Sequence, residues 1–264
     1  MLAAIEILRR LQQNISMMND LDCSVEYADR VYFAEVNDLV DIEYYGKTYD
    51  EPYDTFIQAM STPEIACSLR SLTMRGPDEG ANGTRNWDLT DFLASDATFP
   101  ELQFVYIEPT APGDHNRSII GVDYDEEGQI GRLLAKAPAL ETLTSPSAPD
   151  ASFFQVGPHP LRILRVETGF AHQDFLLNFS RSDCFHNLYL LDFGDYKERY
   201  MKDYIQDCTP FDHYDQLFRS DAFNAVKVFN LRNSVLSSEQ IAHLKALRSD
   251  LIFYVIEEHG HHVR

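Results

Sequence analysis

The residues best suited to chemistry lie in the second half of the chain. His172 and Asp174 stand two residues apart, and Asp212, His213 and Asp215 form another polar cluster. Cys184 lies near His186, and His259, His261 and His262 end the sequence. Histidine and carboxylate side chains ligate zinc and carry protons in general acid–base steps. A metal site needs them to converge on one point. Their spacing does not demand this: there is no H-E-x-x-H, C-x-x-C or G-x-S-x-G, and no glycine-rich phosphate loop. The groups fall on different predicted units. The sequence therefore assigns no catalytic residue, no metal ligand and no cofactor. A metal-dependent hydrolase built on these His- and Asp-bearing loops is kept as an alternative.

The elements around these residues follow a repeated pattern of the form Leu-x-x-Leu-x-Leu. It reads Leu69-x-x-Leu72-x-Met74, Leu102-x-x-Val105-x-Ile107, Leu140-x-x-Leu143-x-Ser145 and Leu161-x-x-Leu164-x-Val166. It continues as Leu188-x-x-Leu191-x-Phe193, Val226-x-x-Phe229-x-Leu231 and Leu251-x-x-Tyr254-x-Ile256. Leu39-x-x-Ile42-x-Tyr44 also fits, although a capping strand explains it as well. Repetition at this interval is the mark of stacked units that share one continuous core. Between copies come helix-like segments: Asp88 to Leu93, Glu127 to Ala137, Gln173 to Phe179, and one opening at Ser237-Ser238-Glu239-Gln240 in capping-box order. Residues 1–20 read as an amphipathic helix through Ile5, Leu8, Leu11 and Ile15. Residues from Gly76, from Pro109, and from Asp195 to Tyr214 read as loop insertions.

This arrangement resembles the leucine-rich repeat family, in the longer helix-containing style of ribonuclease-inhibitor-like proteins. The resemblance implies an α/β fold: a right-handed βα solenoid or horseshoe, with parallel strands on the concave face and helices on the convex face. It divides the chain into a helical and strand cap (1–38), the solenoid (39–257) and a tail (258–264). One feature departs from the family. Its usual Asn or Cys, three residues after the third apolar position, is replaced by Pro77, Thr110, Ala148, Gly169, Tyr196, Ser234 and His259. The buried backbone of each turn then needs other partners.

In such a unit the residues between the template leucines face outward, because strand side chains alternate. The outward set that would contact a partner is Phe104, Ile163, Leu190, Val228 and Phe253 in an apolar row, with Tyr106, Arg165, Asp192 and Asn230 beside it. Tyr and Arg are enriched at binding hot spots. The charge balance is 22 Lys+Arg against 42 Asp+Glu, a net charge of −20. Such a surface repels nucleic acid and steers basic partners. No apolar run is long enough for a bilayer, and Glu6, Arg9 and Arg10 interrupt any secretory segment, so a cytoplasmic location is expected. Cys23, Cys67, Cys184 and Cys208 are too scattered for a metal motif and fit free thiols. These features favour a non-enzymatic module that recognises a protein, and a basic one fits best. A sharper variant is an acidic immunity or inhibitor protein that neutralises a basic toxin or enzyme.

Overall fold

The computed structural model describes residues 2–19, 24–80, 83–121, 125–195 and 204–258. In chain order the elements are α1 (Leu2–Met18), β1 (Arg30–Val36), β2 (Leu39–Tyr45), α2 (Glu51–Met60), α3 (Pro63–Ala66), β3 (Leu69–Arg75), β4 (Gly83–Trp87), α4 (Thr90–Ala94), β5 (Phe104–Ile107) and β6 (Asn116–Ile120). There follow α5 (Gln129–Lys136), β7 (Thr142–Ser145), β8 (Ile163–Glu167), α6 (Phe175–Ser180), β9 (Leu190–Gly194), α7 (Phe211–Arg219), β10 (Val228–Arg232), α8 (Ser238–Leu247) and β11 (Ile252–Ile256).

Nine strands form one sheet in the order β1-β2-β3-β5-β7-β8-β9-β10-β11, which is chain order with β4 and β6 left out. Only β1 runs antiparallel. It is joined to β2 by Asn37 and Asp38, both at positive φ (53° and 63°). Two consecutive left-handed residues give the turn whose twist matches a tight hairpin. Every later pairing in this sheet is parallel. Parallel neighbours need a crossover, and α-helices supply it except between β7 and β8, where a 3-10 turn at Ala151–Gln155 takes their place.

The helices and the inward strand positions share one hydrophobic core, from Ala4 and Leu8 of α1 to Leu244 of α8 and Leu251. The template leucines fill it: Leu72, Val105, Leu143, Leu164, Leu191 and Phe229 are at most 2% exposed. The α8 capping box forms as its sequence predicts. Gln240 N donates to Ser237 Oγ, and Ser237 N donates to the Gln240 side chain.

Three expectations are corrected. Helix α2 stands in a span to which no element was assigned, opened by Pro52 in its first turn and burying Tyr53, Phe56, Ile57 and Met60. Helix α7 begins inside the span expected to be loop, and buries Tyr214, Leu217 and Phe218. The insertions after β3 and β5 lead into β4 and β6, which pair with each other in parallel as a second sheet. Trp87 of β4 is fully buried, and its Nε1 donates to Ser118 Oγ of β6 at 3.0 Å. That bond removes the cost of burying the indole N–H.

Candidate functional site

The sheet face turned away from the helices is built by register. One outward row runs Ser71, Phe104, Thr142, Ile163, Leu190, Val228 and Ile252. The next runs Thr73, Tyr106, Thr144, Arg165, Asp192, Asn230 and Tyr254. Phe104 is 39% exposed, Ile163 40% and Ile252 49%, while Leu190 and Val228 are half-buried. Parallel strands lie about 4.8 Å apart, so these side chains make a nearly continuous apolar strip broken at Thr142.

Phe253 does not belong to that strip. It pairs with Phe229 and points inward, where its ring lies 5.2 Å from that of Phe229 and 5.5 Å from that of Phe218. The cause is a connection one residue shorter. Leu188 and Val226 precede the first strand residue by two positions, whereas Leu251 precedes Ile252 by one. A one-residue slip moves a strand's whole side-chain set to the other face. The outward residues of β11 are therefore Ile252, Tyr254 and Ile256. Counting from the strand start rather than from Leu251 would have found them.

Charges on this face are largely neutralised from within. Arg232, at the end of β10, has a guanidinium only 4% exposed. Its Nε meets Asp192 Oδ1 at 2.6 Å, and its Nη1 meets Glu167 Oε1 at 3.0 Å and Glu258 Oε2 at 3.4 Å. Burial works against the Arg232 charge, but Glu167 and Asp192 outweigh it and raise the pKa. Asp192 also accepts from Asn230 Nδ2 at 3.1 Å. Asp192 and Asn230, expected to be free for a partner, are thus tied to β10. Gly194 makes room for the guanidinium: a Cβ there would sit 3.2 Å from Glu167 Cγ and 3.4 Å from Arg232 Nη2. Arg165 lies 3.4 Å from Glu167, and Arg75 lies 3.1 Å from Glu108. Burial, then Glu108, raises the pKa of Tyr106 and keeps its hydroxyl protonated.

Beyond the strand ends, the missing Asn ladder is replaced one residue earlier than the family pattern. Ser147, Thr168, Asp195 and Asn233 each stand two residues after the third template position, and all four are buried. Asp195 accepts from Thr209 N, Thr209 Oγ1 and Tyr214 Oη at 2.8–3.1 Å, which anchors the return of the chain into α7. The segment from Thr110 to Arg117 leans over these ends, and a narrow cleft separates it from Thr168, Asp195 and Asn233. It leaves the apolar strip uncovered.

The chemistry-capable groups sort differently from their order in the sequence. His172 and Asp174 are brought together with His213, which lies on a separate predicted unit. Asp215 turns away, to Arg219 at 2.8 Å and His243 at 2.7 Å. Cys184 is buried, and its Sγ lies 3.9 Å from the Phe154 carbonyl. Cys67 and Cys184 are free thiols. Cys23, His259, His261 and His262 lie outside the described residues. No helix among the described residues is long and apolar enough to cross a membrane.

No family model matches this chain, and no curated protein matches it.

Proposed function

We propose that the chain is a leucine-rich-repeat-like βα solenoid that binds a partner protein through the open face of its sheet, without catalysing a reaction. One observation carries this reading: Phe104, Ile163, Leu190, Val228 and Ile252 line up in register on the sheet face that no helix among the described residues covers. Eight parallel strand positions about 4.8 Å apart, with three outward rows about 7 Å apart, give a face on the order of 600 Å². That approaches the roughly 800 Å² that each partner contributes to a standard interface. Isolated exposed apolar residues are common, but an aligned strip rimmed by Tyr106, Arg165 and Tyr254 has the anatomy of a recognition surface.

A net charge of −20 favours a basic partner. Because the acids of the open face are already paired, this charge steers encounter and the apolar strip supplies the affinity. A basic toxin or enzyme neutralised by this chain is the sharpest form of the proposal. The test compares capture of crosslinked partners by the wild type with capture by Phe104→Asp, Ile163→Asp and the double variant. These outward changes leave the core intact, so unfolding midpoints should stay close to wild type. Loss of the same partner from both single variants supports the reading, and unchanged capture by the double variant refutes it.

A further inference from the structure

Three metal-ligating side chains meet beside the loop that follows β8. Asp174 Oδ1 lies 3.5 Å from His172 Nδ1 and 3.9 Å from His213 Nδ1. One donor atom from each residue lies within 4.8 Å of the other two. Around a tetrahedral zinc ion with ligands at about 2.0–2.1 Å, donor atoms stand about 3.3 Å apart. Side-chain movements of about 1 Å would close the set.

Beside this geometry, one further observation points to a ligand. His213 Nδ1 is buried and makes no hydrogen bond among the described residues, although its ring faces the Asp174 carboxylate. A buried ring nitrogen without a partner calls for an ion or a water. The backbone that presents the carboxylate is also unusual. Gln173 and Asp174 both sit at positive φ (49° and 51°), where residues with a Cβ are uncommon. Two bonds hold this conformation: Asp174 N donates to His172 Nδ1 at 3.0 Å, and Asn178 Nδ2 donates to Gln173 O at 3.0 Å. An ion at His172 Nδ1 would take the place of the first.

We propose that His172, Asp174 and His213 bind one divalent transition-metal ion of the zinc class, fastening the loop after β8 to the first turn of α7. Two imidazoles and a carboxylate suit zinc, and a water completes the tetrahedron. An open cavity of about 520 Å³ beside His172 and Asp174 leaves room for that water. The site does not depend on the recognition reading, since it lies on the connections rather than on the open face.

The test is calorimetric titration of the metal-free full chain with zinc chloride at pH 7.5. His259, His261 and His262 are a second source of zinc affinity, so the reference is a variant with all three changed to Ala. This reference binds one zinc ion, and adding His213→Gln or Asp174→Asn weakens binding at least tenfold. Zinc at 100 times Kd raises the thermal midpoint of the reference by about 5–10 °C. Cobalt(II) gives a tetrahedral visible band that His172→Ala suppresses. Melting in chelator, unchanged among the variants, separates lost binding from lost folding. The proposal is overturned if the reference binds no stoichiometric zinc, or if both His213→Gln and Asp174→Asn bind it as tightly as the reference.

Discussion

Replacing Arg232 by Met should damage this protein more than any surface change on the open face. The guanidinium is almost fully buried and meets three carboxylates at 2.6, 3.0 and 3.4 Å. Each contact near 3 Å is worth on the order of 5 kcal/mol of attraction in an effective dielectric of about 20. Desolvation of the ions offsets several kcal/mol each. The net value of the cluster is therefore modest, but removing its central cation leaves Asp192 and Glu258 without their ion-pair partner and Glu167 with Arg165 alone. Breaking a buried pair from one side costs roughly 3–5 kcal/mol, a large part of the about 5–15 kcal/mol that holds a domain folded. Trp87, the single tryptophan, is fully buried and reports unfolding by fluorescence. Urea titration at pH 7 should show a deficit of about 3–5 kcal/mol. Adding Asp192→Asn to Arg232→Met should recover part of the loss. A deficit below about 1 kcal/mol at pH 7 would refute the reasoning.

Two further outcomes are expected. Phe253→Ala should cost about 2–4 kcal/mol because the ring packs on Phe229 and Phe218, whereas Ile252→Ala should cost under about 1 kcal/mol; thermal melts of the pair check the register of β11. Glu126, buried at the start of α5, accepts from Ile130 N, from Gly128 N at 3.0 Å and from Asp150 N at 3.4 Å. Burial, with help from the Asp150 charge, overcomes those bonds and pushes its pKa up to about 7 from 4.5. The raised value means that its protonated form stabilises the fold below about pH 4.5, and that this contribution fades as the pH rises through 7. The stability difference between wild type and Glu126→Gln should therefore shift against the wild type by up to about 3 kcal/mol from pH 4.5 to pH 7.5. Urea midpoints across that range measure it, and a flat difference would contradict the assignment.

The strands were the most legible part of the sequence, because two adjacent inward positions and a preceding leucine leave a distinct apolar pattern. Six template copies put the right residues in the core. The seventh failed where a turn lost one residue, a change that leaves hydrophobicity intact but exchanges the strand's inward and outward side chains. Helix α2 carried readable signals in Pro52 and the spacing of Tyr53, Phe56, Ile57 and Met60. The pairing of β4 with β6 did not, since Gly and Asp around each strand mimic loop composition and the partner is remote. The polar turn positions were sought one residue too late, because Asp195 and Asn233 serve buried groups that sequence spacing does not reveal. The meeting of His172 and Asp174 with His213 depends on how α7 is returned to the sheet, which no local pattern encodes.

The chain-order sheet also bears on how the protein is made. Each parallel strand is laid beside the last strand of the main sheet that precedes it in the chain. During synthesis, an emerging strand therefore finds its template already at the edge of the growing sheet, and no pairing must wait for a distant downstream segment. Loop closures stay short, which favours rapid zipping from the β1–β2 hairpin onward. The second sheet is the exception: β4 must wait for β5 before β6 arrives. A pause in synthesis between Trp87 and Asn116 would leave the Trp87 indole without its Ser118 partner.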